Sequence, residues 1–246
     1  MSAIPAAEPQ DVSPVVELRQ YTLHSGRREE LTGLFEREFV ETQEAVGMSV
    51  IGIFHDEDRP DRFVWIRGFA GMAERHRALT AFYLESDAWK AHGPAAAATM
   101  VDASDVLLLR PAHAGRGIAV AAERPGPGSA ERPESRVLVT VHHPERAATG
   151  EVVRLIDERV HPLMAEAGAT PIGCLVTEPA ENTFTRLPVR EGENVVVSLA
   201  VVTSAGALRD HDGRLAASAA WASVRARLTA PAERLVLAPT ARSLVR

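Results

Sequence analysis

Val15-Val16-Glu17-Leu18-Arg19-Gln20-Tyr21-Thr22-Leu23 alternates in period two, and 121 residues further on Arg136-Val137-Leu138-Val139-Thr140-Val141-His142-His143 does the same. Working outward at that offset, the apolar positions coincide. Leu31, Phe35, Phe39 and Val46 fall on Val152, Ile156, Val160 and Ala167, and Gly47 and Gly52 fall on Gly168 and Gly173. The tails rejoin as Leu107-Leu108-Leu109-Arg110-Pro111 against Leu235-Val236-Leu237-Ala238-Pro239. Matching periodicity and matching glycines over such a length indicate a tandem duplication. The second copy is longer between its second strand and its tryptophan, which places an insertion in Glu178 to Asn194.

The expected organisation is a disordered N-terminus over 1–13, a first unit over 14–111, a Gly/Pro-rich linker over 112–135 and a second unit over 136–246. Each unit reads β-α-β-β-α-β. In the first, a strand at Val15–Leu23 precedes a helix at about 27–46 with Ser25 as its N-cap. Strands follow at about 48–55 and 62–69. A helical region at about 71–100 breaks near Glu85–Ser86 and again near Gly93-Pro94, and a last strand spans Asp105–Arg110. This order is the ferredoxin-like pattern. Helices cover one face of such a sheet, and the other face must be buried. The expected fold class is therefore α+β, with two tandem ferredoxin-like βαββαβ units packed sheet to sheet as a pseudo-dimeric α/β barrel. Further homo-oligomerisation stays open.

Composition narrows the function. A net charge of −6 disfavours nucleic acid as the partner, because phosphate binding needs a basic face. The single cysteine, Cys174, rules out an intrachain disulfide and a multi-Cys zinc site. It sits in an apolar run and reads as a small buried residue. No apolar run approaches the ~20 residues of a membrane span, and the start has neither a secretory nor a mitochondrial pattern. A cytoplasmic protein with no membrane partner is expected. There is no P-loop, GxGxxG, GxSxG or HExxH. The histidines lack i, i+4 metal spacing, so no metal is expected, and His113 and His211 read as exposed loop residues.

The stretches Glu17–Leu23, Val50-Ile51-Gly52-Ile53-Phe54, Phe63-Val64-Trp65, Glu74-Arg75 and Asp87-Ala88-Trp89 resemble the NIPSNAP family of the dimeric α/β-barrel superfamily. Asn182–Val195 and Leu237–Ser243 extend the resemblance into the second copy. It implies the barrel fold and only weakly an activity. The wider superfamily includes cofactor-free monooxygenases, polyketide cyclases, lactone isomerases and haem-binding proteins.

Ten of the twelve aromatic residues lie in the first copy, enough to line a pocket for a planar or hydrophobic ligand. Glu17, Arg19 and Tyr21 share one face of their strand, whereas the offset puts Leu138, Thr140 and His142 in the second. Facing the shared barrel, Glu17 and Arg19 would pair and fix the contact between the sheets. Used functionally, Arg19 would bind an anionic or enolate oxygen and Tyr21 would donate a proton. The candidate catalytic residues are thus Tyr21, Arg19, His55 and His76. The candidate substrate-binding residues are Trp65, Arg67, Tyr83, Trp89 and Phe54.

Three functions follow. The first is a cofactor-independent isomerase, cyclase or oxygenase acting on a hydrophobic, aromatic or polyketide-like small molecule, one site per chain. The second is a non-catalytic binding or scaffold protein. The third binds haem through an axial His76 or His92.

Overall fold

A computed structural model describes residues 13–120, 123–228 and 231–246. The expected disorder of the N-terminus falls almost entirely outside the described residues.

The first half runs β1 (Val15–Leu23), α1 (Arg28–Leu34), a π-helical turn (Phe35–Phe39), α2 (Val40–Glu44), β2 (Ser49–Asp56), β3 (Arg62–Phe69), α3 (Met72–Thr80), a second π turn (Ala81–Glu85), α4 (Asp87–Ala97) and β4 (Met100–Pro111). The second half repeats the order. It has β5 (Arg136–His142), α5 (Thr149–Leu155), a π turn (Ile156–Val160), α6 (His161–Glu166), β6 (Thr170–Thr177), β7 (Val196–Val202), α7 (Ala205–Ala217), α8 (Ala219–Arg227) and β8 (Ala232–Pro239).

The 121-residue offset extends to irregularities. It carries the π turn 35–39 onto 156–160 and β2 onto β6, residue for residue. The bulge between Val50 and Gly52 recurs between Pro171 and Gly173. Gly47 and Gly168 both close the first helical segment at positive φ, 93° and 97°, where a side chain would be strained.

The strands close into one eight-stranded barrel in the order β1-β3-β2-β8-β5-β7-β6-β4. Each half contributes a four-stranded antiparallel sheet, and the seams are β2 against β8 and β4 against β6. Alternation sorts the core into three layers. Val16, Leu18, Ile51, Phe54, Val64, Leu107, Val137, Val139, Leu199 and Leu237 fill the barrel interior. The alternate residues pack outward under the helices, against Phe35 and Phe39 in the first half and Ile156 and Val160 in the second. Burying the two sheet faces against each other removes the apolar surface that either half alone would expose.

Several local expectations are corrected. Helix α1 begins after Arg27, and no side chain caps it, so Ser25 is not its cap. Helix α4 runs through Gly93-Pro94. Gly93 permits this because a Cβ there would lie 2.7 Å from the Trp89 indole, which packs on the helix at that point. Ser86 does break the region, accepting a hydrogen bond from Trp89 N as N-cap of α4. His211 is buried on α7 rather than exposed in a loop. The segment after β4 also supplies core: Ile118 is buried with the barrel interior, and Ala119 N donates to Ile172 O.

A charged and aromatic cavity in the first half

Residues 15, 17, 19, 21 and 23 of β1 point towards the helices, because Val16 and Leu18 take the barrel interior. The Glu17–Arg19–Tyr21 face therefore lies under α1–α4, not between the sheets. The ion pair expected to fix the sheet contact sits elsewhere and does something else.

Glu17 is fully buried and anchors three arginines. Arg19 Nη1 donates to Oε2 at 2.6 Å, Arg67 Nε to the same oxygen at 2.8 Å, and Arg75 Nε to Oε1 at 2.6 Å. The strand register explains the convergence. Glu17 lies opposite Arg67, and Arg19 opposite Trp65, on the β1–β3 pair. Arg75 enters from α3. Burial alone would raise the Glu17 carboxyl, but the charges of Arg67, Arg19 and Arg75 override it and hold the group well below the ordinary carboxylate range.

Two phenols extend the cluster. Arg19 Nε donates to Tyr21 Oη at 2.8 Å, and Arg67 Nη1 to Tyr83 Oη at 3.2 Å. Burial is the main influence raising the Tyr83 phenol, against the opposing pull of Arg67, so it stays protonated at neutral pH.

These groups edge a cavity of about 350 Å³. Arg19, Tyr21, Gln43, Trp65 and Tyr83 line it together with the apolar Phe35, Phe39, Phe82 and Trp89. The rings meet edge to face, as at Phe35–Trp65 (4.8 Å) and Tyr83–Trp89 (4.6 Å).

The second half contributes to this cavity. Its inserted segment, between β6 and β7, crosses over the first. Arg186, Leu187 and Pro188 line the cavity, and Phe184 packs into the first-half core. Asn182 Oδ1 accepts from Arg75 Nη1, and Arg190 N donates to Val106 O.

Of the candidate residues, Arg19, Tyr21, Trp65, Tyr83 and Trp89 come together around the cavity, and Arg67 stands directly behind it. Three are placed apart. His55 is buried against Thr32, Nε2 to Oγ1 2.8 Å, with burial lowering its pKa to about 4. His76 is exposed, Nδ1 3.0 Å from Thr183 O. Phe54 is in the barrel interior. Sequence reasoning missed Gln43, the Glu17–Arg75 link and the 186–188 lining. Arg75 falls within the quoted family stretch Glu74-Arg75, and its helical position opposite β1 was the available signal. A contact made by an insertion leaves no periodicity to read.

The two halves are chemically unequal. Glu17 and Arg67 pair across their strands where Leu138 and Ala200 pair in the second half; Arg19 and Trp65 correspond to Thr140 and Ser198. Ser198 Oγ instead meets His161 Nε2 at 2.9 Å.

Among the described residues no histidine lines the cavity, so His76 and His92 offer no imidazole to a haem iron there. Among the described residues no group of three or more His, Cys, Asp or Glu side chains is placed to hold a metal, and no helix is long and apolar enough to cross a membrane.

Among solved structures, a candidate monooxygenase from Lactobacillus acidophilus NCFM is 11% identical at TM-score 0.58, covering 94% of this chain and 96% of that one. An anthrone oxidase-like protein is 13% identical at TM-score 0.58, covering 94% and 93%. A dye-decolorizing peroxidase from Bacteroides thetaiotaomicron VPI-5482 is 10% identical at TM-score 0.55, covering 96% of each. At these identities the likeness is one of fold. No curated protein matches the sequence. The sequence model of the NIPSNAP family matches residues 16–114, the half that holds the Glu17 cluster. The match to the NIPSNAP model thus covers the first half alone, and the second half completes the barrel.

Proposed function

We propose that the protein is a small-molecule enzyme of the dimeric α/β-barrel type, with one site per chain, in the first-half cavity. Its substrate is hydrophobic and planar, and its chemistry is cofactor-independent acid–base work on an enolate or phenolate, in an isomerase, cyclase or oxygenase. The observation that carries this reading is the Arg19–Tyr21 pair at the cavity wall. Tyr21 Oη accepts from Arg19 Nε, so its own proton is free for a substrate oxygen. Arg19 stays beside the phenolate left by that donation and stabilises it. Arg19 is fully buried, and a fixed charge out of reach of solvent acts far more strongly than one in water. Fold neighbours named as monooxygenase and anthrone oxidase-like proteins are consistent with this substrate class.

Proton exchange of a carbon acid tests it. Anthrone incubated with the protein in D₂O should lose its C10 protons faster than in buffer, and Tyr21→Phe should reduce the gain about 10²-fold or more. Exchange no faster than in buffer would contradict catalysis.

One observation favours a second reading, a non-catalytic binding protein. Among the described residues that line the cavity, the only carboxylate is Asp102, whose Oδ1 is already engaged by Ser104 N and Oγ. A binding protein would hold the same ligand with no exchange above buffer.

A further inference from the structure

The buried charges beside the cavity do not cancel. Arg19, Arg67 and Arg75 carry three positive charges against the single carboxylate of Glu17, a formal surplus of two, and all four side chains are fully buried. Uncompensated buried charge is costly, so such a surplus is retained where an anion can answer it.

The hydrogen-bond inventory points the same way. Arg19 Nη2 and Trp65 Nε1 are buried donors with no hydrogen-bond partner among the described residues, and both side chains line the cavity. They belong to cross-strand neighbours, Arg19 opposite Trp65, with the Arg19 guanidinium 5.7 Å from the Trp65 ring. Tyr21 and Tyr83 each accept from a guanidinium, which leaves each hydroxyl hydrogen free and polarised for donation. Four unspent donors thus border one cavity. Gln43 Nε2 gives one of its two hydrogens to Phe39 O. A cationic or donor-only group there would leave these donors unanswered; an oxyanion would satisfy them and also offset the surplus charge, which a neutral acceptor cannot do.

We infer that the cavity binds its ligand as an anion: a planar apolar body among Phe35, Phe39, Phe82 and Trp89, carrying a carboxylate, phenolate or enolate oxygen that docks on Arg19, Trp65, Tyr21 and Tyr83. This rests on the first-half cavity being the substrate site.

Titration calorimetry on the full chain at about pH 8 tests the inference with three probes of one shape. They are 2-naphthoate for a carboxylate, 1-nitro-2-naphthol, acidic enough to be ionised there, for a phenolate, and neutral 2-naphthylmethanol. At least one anion should bind about tenfold or more tighter than the alcohol, a difference of about 1.4 kcal/mol, and the tighter anion names the oxyanion class. Trp65→Phe, which keeps the ring and removes the N–H, should weaken that anion and leave the alcohol unchanged. Arg19→Gln, where it folds, should remove the preference entirely. Equal binding of all three probes would overturn the anion inference and leave the cavity reading standing. Binding of none would overturn both.

Discussion

Asn182 Oδ1, on the segment inserted in the second half, accepts a hydrogen bond at 2.9 Å from Arg75 Nη1 on α3 of the first. The same oxygen takes Phe184 N, and Asn182 Nδ2 donates to Leu187 O, so one amide ties the Glu17 cluster to the segment that roofs the cavity. The second half therefore completes the first-half site as well as closing the barrel. Asn182→Ala should loosen this roof, at about 1–3 kcal/mol for the buried Arg75 donor left unsatisfied. Hydrogen exchange should rise across 182–190 while β5–β7 remain protected.

Glu17→Gln should be among the most damaging single changes, because it leaves three buried guanidinium groups without a counter-charge. The expected loss is about 3–5 kcal/mol in urea unfolding. The equivalent position, Leu138, is buried in an apolar layer and carries no such charge.

Acid stability should reflect Glu17 and the buried histidines in different windows. The Glu17 carboxyl is depressed when folded, so its contribution is full above its ordinary value of 4.5 and is lost only as pH falls through its lower folded value. His55 and His142 are each lowered by burial from 6.5 to about 4. Below 6.5 the unfolded chain takes up protons that the folded one refuses, so stability should fall between pH 6.5 and 4. His142→Gln should flatten that slope without moving the more acidic Glu17 step, as read from melting temperatures across pH.

Cys174 is buried on β6, and burial pushes its thiol up to about 12. It should ignore a disulfide reagent at neutral pH while folded and react at once in denaturant. Rapid labelling of the native chain would place it at an opening in the fold.

The barrel was legible because it rests on repetition: period two in Val15–Leu23 and Val137–Val141, and glycines at a fixed offset, are properties of local sequence. The shared face of Glu17, Arg19 and Tyr21 was legible for the same reason, but which layer it entered was not. Alternation assigns residues to two faces without saying which face the helices cover. His55 and His76 were attractive as titratable groups near strand and helix ends; their partners, Thr32 and the Thr183 carbonyl, come from distant segments that no spacing rule connects. Leu187 and Pro188 roof the cavity across the boundary between halves, and an insertion has no counterpart in the other copy to compare.

A crystal soaked with whichever of 2-naphthoate and 1-nitro-2-naphthol binds more tightly is the most direct measurement. Density should lie in the first-half cavity, with the rings among Phe35, Phe82 and Trp89 and the anionic oxygen within hydrogen-bond distance of Arg19 Nη2. An empty first-half cavity, or density only in the polar groove of the second half beside His143, Glu151 and Arg227, would contradict it.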